Sequence, residues 1–161
     1  MKTIILIRHA KSSWEYDVND HERPLKKRGI KDANLVSKAF KAKSLVPDAI
    51  YSSSAKRALL TCEIVMENLK LDTNLLTISK EIYDFGGENV IDFIKNISEE
   101  NQKVMIFGHN HAFTSICNIF GDKYIDNLPT SGLVVIDFNV NSWSEIGDGK
   151  TRFMILPRDL K

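Results

Sequence analysis

Thiol chemistry is nearly absent from this chain. Its 161 residues hold two cysteines, Cys62 and Cys117, with no CxxC and no framework spacing. That excludes a disulfide scaffold, and both read as small buried apolar groups in a reduced compartment. No apolar run approaches the ~20 residues of a membrane span. The longest near the start, Ile4-Ile5-Leu6-Ile7, also lacks a small-residue cleavage site, so neither a signal peptide nor a membrane partner is expected and a cytoplasmic location is. There is little excess charge. The net value of +1 argues against nucleic acid as a partner. No repeat, low-complexity tract or linker is visible, and the length fits one domain over 1–161 on a prior of ~100–200 residues per domain. What is present is globular: 43% hydrophobic and 27% charged residues. A chain of this size buries roughly 68–70% of its unfolded surface and needs no staples.

The charge is unevenly spread. Residues 1–43 hold eleven Lys/Arg against five Asp/Glu, a balance of +6, which leaves −5 for the rest. Such a segment is either a solvated basic helix face or a positive field for an anionic substrate.

Apolar runs alternate with helical patterns. Lys2–Arg8 is a β-branched run and predicts a strand buried on both faces. Ile30, Ala33, Val36 and Phe40 predict an amphipathic helix over 26–43. Pro47-Asp48 marks a turn before a short strand, Ala49–Ser52. Helices are predicted over 54–70, 88–97 and 111–120, and strands at Leu75–Ser79, Lys103–Phe107, Leu133–Phe138 and Thr151–Ile155. The alternation implies an α/β domain, a three-layer α/β/α sandwich with a mostly parallel sheet. Ligands bind such sheets outside the carboxyl ends of the strands.

Those ends share a chemistry. The first strand finishes in Arg8-His9, the second in Ser52-Ser53-Ser54 with Lys56 and Arg57 close behind, and the fourth in Gly108-His109. Arginine forks onto phosphate oxygens, and helix N-termini favour anions. Each residue has a plain structural explanation: a satisfied histidine, a paired arginine, a serine cap, or Thr61 back-bonding to its helix rather than orienting Arg57. Together they form a costly cationic cluster that an anion would complete. In such a pocket a neutral imidazole is a nucleophile toward phosphorus, because neighbouring cations disfavour its protonated form. Arginines, and a second cation such as protonated His109, would hold the charge of the transferring phosphoryl group. A carboxylic acid is needed where the leaving group is poor.

Arg8-His9, Ser52-Ser53 with Arg57-Ala58 and Thr61, and Gly108-His109 resemble the three motifs of the histidine phosphatase (phosphoglycerate-mutase-like) superfamily. Arg8-His9-Ala10-Lys11-Ser12-Ser13-Trp14, followed by Asp20-His21-Glu22-Arg23-Pro24-Leu25 and Arg28-Gly29, is similar to its short SixA-like phosphohistidine phosphatase branch. The resemblance runs over about residues 2–120. It implies a phosphoglycerate-mutase-like fold with a minimal cap. His9 would be the nucleophile that becomes phosphohistidine, with His109 beside it. Arg8 and Arg57 would bind the phosphoryl group, with Lys11 or Ser12 adding a donor. Glu81 would be the acid, with Asp84 the alternative. Neither a cofactor nor a metal is implied.

Two positions depart from the family pattern. Ala10 replaces a glycine, and Asn110-His111 stands where Asn-Pro is usual; His111 reads as the first residue of a helix. Short connections at 9–25 and 79–88 leave no room for a lid. An open site suits a phosphorylated protein, whereas a mutase must shield its phosphoenzyme from water. The expectation is a monomeric phosphatase acting on a phosphorylated protein or a small phosphate-containing substrate. A non-catalytic phosphate-binding regulator and a broad small-molecule phosphomonoesterase are the alternatives. A metal hydrolase built on His9, His21, His109 and His111 is disfavoured by the absence of HExxH and by the cationic rim.

Overall fold

The computed structural model describes residues 1–161. Its elements are β1 (Lys2–Arg8), α1 (Lys27–Lys41), β2 (Ala49–Ser53), α2 (Lys56–Leu69), β3 (Leu76–Ser79), α3 (Glu88–Lys95), β4 (Lys103–Gly108), α4 (Ala112–Phe120), β5 (Leu133–Phe138) and β6 (Lys150–Ile155). They form one sheet in the order β3-β2-β4-β1-β5-β6. The four strands from β3 to β1 are parallel, and β5 and β6 close one edge antiparallel. The carboxyl ends of β1, β2 and β4 therefore lie side by side.

Strand alternation splits the core into two layers. Ile4 and Leu6 of β1 pack with Val90 and Ile94 of α3 and Ile116 and Phe120 of α4. Ile5 and Ile7 face Val36 and Phe40 of α1 and Val65 and Met66 of α2. Both cysteines are buried and unpaired, and burial pushes each thiol up to about 12. No helix is long and apolar enough to cross a membrane.

Most predicted elements are found, with ends displaced by one or two residues. The helix expected over 26–43 is α1, Lys27–Lys41, and α2 stops at Leu69 because Lys70 takes a left-handed φ of 54°. His111 is the N-cap of α4 rather than its first residue. Ile30, expected inward, is 44% exposed. The contact at that turn belongs to Gly29, whose missing Cβ lets α1 approach the Lys11 backbone; any side chain there would collide with the Lys11 carbonyl. The Lys26 N–H donates to the same carbonyl at 2.9 Å. This close approach pins the segment between β1 and α1, the strap, over the strand ends.

Candidate active site

The floor of the site is built by parallel pairing carried one residue past the sheet. The His9 N–H donates to the Gly108 carbonyl at 3.0 Å, so the strands that end in Arg8-His9 and Gly108-His109 emerge together. The two imidazoles stand with centroids 5.3 Å apart. The Ala10 N–H donates to Thr61 Oγ1 and the Thr61 hydroxyl to the Arg57 carbonyl, both at 2.8 Å. Thr61 therefore ties the strap to α2 and leaves the Arg57 guanidinium to other partners. Ala10 is fully buried and is not among the positive-φ residues, so this backbone needs no glycine there.

A pocket of about 470 Å³ opens above this floor. Arg8, His9 and Arg57 line it, with Lys11 and Ser12 of the strap. His109 lies beneath, 1% exposed. Asp20, Arg23 and Trp14 from the strap, and Tyr83 and Phe85 from the connection after β3, complete the rim. Asp20 organises it. The Arg57 Nη1 donates to the Asp20 carbonyl at 2.7 Å, and Arg57 Nη2 and the Tyr83 hydroxyl donate to its Oδ2 at 3.0 and 2.6 Å. Arg23 Nε lies 3.3 Å from Oδ1, and the Arg23 guanidinium stacks 3.4 Å from the Trp14 ring centroid. Phe85 and Tyr83 each meet the His109 ring edge-on.

The tautomer of His9 follows from its neighbour. Nδ1 lies 2.8 Å from the Ala10 carbonyl, which only accepts, so Nδ1 carries the proton and Nε2 keeps its lone pair. Burial, reinforced by Arg57, Arg8 and Arg23, pushes the His9 pKa down to about 3, although the Ala10 carbonyl works the other way. Burial, then His9 and Arg57, push His109 down to about 2. His109 is thus a neutral ring, not the protonated cation expected from sequence; a buried imidazole beside arginines cannot hold a further charge. Its Nε2 lies 2.8 Å from Ser53 Oγ, which already accepts the Ala55 N–H. Burial alone would raise Asp20, but hydrogen bonds from Tyr83 and Arg57 and the charges of Arg57 and Arg23 hold its carboxyl below the usual range.

Several donors in the site are buried without a partner: Arg8 Nε, Arg23 Nη1, Arg57 Nε and the ring atom His109 Nδ1. Buried guanidiniums with idle N–H groups are costly unless an anion completes them.

Glu81 is not brought to this site. Its 3-10 turn, Lys80–Ile82, buries Ile82 and leaves Glu81 exposed, outside the pocket lining. Asp84 is committed elsewhere, accepting the N–H groups of Gly86, Gly87, Asn89 and Val90 at the start of α3. The carboxylate at the pocket is Asp20, which, like Arg23, Trp14, Tyr83 and Phe85, has no role assigned from the sequence alone. A signal existed for two of them. Asp20 and Arg23 sit three residues apart in a segment too short to bury its own charges.

Comparison with known proteins places the fold and the family. An uncharacterized protein of Mycobacterium tuberculosis is 24% identical over 153 residues, covering 89% of this chain and 93% of its own. A 2,3-bisphosphoglycerate-dependent phosphoglycerate mutase of Parvibaculum lavamentivorans is 35% identical over 105 residues, 60% of this chain and 50% of the mutase. The structure of the protein histidine phosphatase SixA complexed with tungstate matches at TM-score 0.83 and 19% identity, covering 99% of each chain. The fold is therefore the phosphoglycerate-mutase-like fold that SixA shares. The family model of the histidine phosphatase superfamily (branch 1) matches residues 4–87, which take in Arg8, His9, Asp20, Arg23 and Arg57, and the chain belongs to that superfamily.

Proposed function

We propose that this protein is a phosphatase that hydrolyses a phosphoramidate, a phosphohistidine on a protein, through a covalent phosphoryl intermediate on His9. The observation that carries the reading is the His9 ring itself. It is buried, proton-free at Nε2 through neutral pH, and surrounded by Arg8, Arg23 and Arg57. In the first step the Nε2 lone pair bonds to phosphorus while the bond from phosphorus to the substrate nitrogen breaks. The departing imidazole keeps that electron pair and takes a proton from water at its distal nitrogen. In the second step water attacks phosphorus and gives up a proton that neutralises the hydroxide left by the first step, the electron pair of the broken bond returns to Nε2, and inorganic phosphate leaves. The arginines hold the equatorial oxygens throughout. His109 stands beside His9 as a neutral ring, its Nε2 paired with the Ser53 hydroxyl and its Nδ1 buried without a partner.

The leaving group follows from the carboxylate. Asp20 is held ionised by its cationic partners and has no proton to give at neutral pH. An alcohol leaves badly without an acid. An N-phosphorylated imidazole leaves as neutral imidazole, because its distal nitrogen is protonated by solvent. That SixA, of the same fold, forms a complex with tungstate, an oxyanion, is consistent with this reading. The proposal covers residues 1–161 as one catalytic domain, and three clustered arginines repel a dication, so turnover is metal-independent.

The test is direct. Incubation with phosphoramidate should place an acid-labile, alkali-stable phosphoryl group on His9, and chelator should leave turnover unchanged. A His9→Asn protein that hydrolyses phosphoramidate at the normal rate would end the proposal. Faster hydrolysis of alkyl phosphomonoesters than of phosphohistidine would reassign the substrate.

A further inference from the structure

The strap that carries Ser12 and Trp14 into the catalytic pocket has a second concave face. Ser13, Glu15 and Tyr16 turn the other way, into a groove of about 510 Å³. The far wall of that groove is Leu25 with Lys26, Lys27 and Arg28, where α1 begins. All three cations are exposed, and the ion pairs of the chain lie elsewhere. Glu15 is the single carboxylate in the groove, so the lining is net positive. Lys31 and the exposed Ile30 continue the same helix face one turn on. Tyr16 and Val18, 58% and 47% exposed, stand on the strap beside it. Unpaired cations next to exposed aromatic and aliphatic side chains have the make-up of an interface.

Neighbouring residues of the strap line both cavities: Ser12 and Trp14 the pocket, Ser13, Glu15 and Tyr16 the groove. An extended peptide advances roughly 3.3–3.6 Å per residue. A substrate with its phosphoryl group over His9 therefore reaches the groove within a few residues. We infer that the Lys26-Lys27-Arg28 groove docks an acidic segment flanking the phosphorylated residue of a polypeptide substrate. The inference rests on the phosphatase reading above and adds where the rest of the substrate lies. The concave shape, with a carboxylate inside it, fits a chain rather than the flat headgroup surface of a membrane. The +6 balance of residues 1–43 is thereby resolved into two sites: buried arginines for the phosphoryl group and exposed cations for its surroundings.

Three synthetic peptides test this, each bearing one phosphohistidine flanked by Glu/Asp, by Gly/Ser or by Lys. The wild-type protein should show kcat/KM roughly tenfold or more higher for the acidic than for the Lys-flanked peptide at low ionic strength, with the gap closing as salt screens it. The variant K26E/K27E/R28E should invert that order and hydrolyse N-phosphoimidazole, which is too small to reach the groove, at the wild-type rate. Acidic residues suit the first turn of α1, so this variant keeps its helix. In parallel, anisotropy of a fluorescein-labelled acidic peptide without phosphate reads the groove with no turnover. Binding there with no hydrolysis of N-phosphoimidazole sinks the phosphatase reading and leaves the groove standing. Equal rates on the three peptides, an order unchanged in the triple variant, or loss of its N-phosphoimidazole hydrolysis overturns the docking inference. So does binding to phosphatidylserine vesicles, lost in the variant, without any peptide preference.

Discussion

At the floor of the pocket, Arg8, His9, Arg57 and His109 hang from the ends of regular elements and are placed by backbone pairing. At its rim, Trp14, Asp20, Arg23, Tyr83 and Phe85 come from irregular segments and are placed by one another. The His9 N–H pairs with Gly108, and Arg57 sits in the first turn of α2. Asp20, by contrast, is held by contacts from Arg57, Arg23 and Tyr83, and Arg23 by Trp14. His9, Arg57 and His109 of the floor are buried, and Arg8, Arg57 and His109 each keep a buried polar atom without a partner, which under the proposed function would receive the charge of a phosphoryl group. The rim carboxylate of Asp20 is 41% exposed and bonded by Arg57, Arg23 and Tyr83, contacts that hold the two guanidiniums in place. The floor is thus set by sheet and helix geometry, and the rim by side-chain contacts among loops.

Mutations on the two sides should separate these roles. Arg57→Ala removes a floor cation and frees Asp20 at once, so phosphoramidate hydrolysis should fall roughly a hundred- to a thousandfold in kcat. Asp20→Asn keeps the side-chain shape, removes the charge and replaces one accepting oxygen with an NH2 donor. Steady-state kinetics should show less than a ~10-fold loss on phosphoramidate with an unchanged pH profile, because a true general acid contributes roughly 10²–10⁴-fold. A hundredfold loss confined to phosphoesters would make Asp20 the proton donor and erase the distinction between floor and rim.

Acid should attack the floor first. The folded-state pKa values of His9 and His109, about 3 and about 2, lie below the ordinary histidine value of 6.5. Between those limits the unfolded chain binds protons that the folded chain refuses, so stability is full above pH ~6.5 and declines as pH falls toward ~3. Urea unfolding at pH 7 and pH 4.5 should show this decline, and His109→Asn should reduce it. The smallest effect is expected outside the site: Glu81→Gln should leave kcat/KM within about twofold, since general acids contribute roughly a hundredfold or more. A hundredfold loss there would mean that the turn at Lys80–Ile82 rearranges to bring Glu81 inward.

The periodicities of Lys2–Arg8, Leu133–Phe138 and the four helices were legible because burial on one or two faces imposes a spacing on the residues themselves. The carboxyl-end rule then made Arg8, His9, Arg57 and His109 legible as one cluster. Asp20 and Arg23 were visible as residues but not as site members. Nothing in local spacing says that a loop folds back over strand ends some thirty residues away in sequence. Glu81 failed for the complementary reason. A position after a strand fixes neither the rotation of a 3-10 turn nor which of Glu81 and Ile82 is buried, and the apolar side chain won.

Hydrophobic patterning and the order of strands thus dictated the layers, the sheet and the place of His9 at its edge, because those depend on short-range repeats. The protonation states of His9 and His109, the partners of Asp20 and the division of basic charge between a buried pocket and an exposed groove arose only on folding. Electrostatic energies depend on distance and dielectric surroundings, and both are properties of the packed molecule rather than of neighbours along the chain.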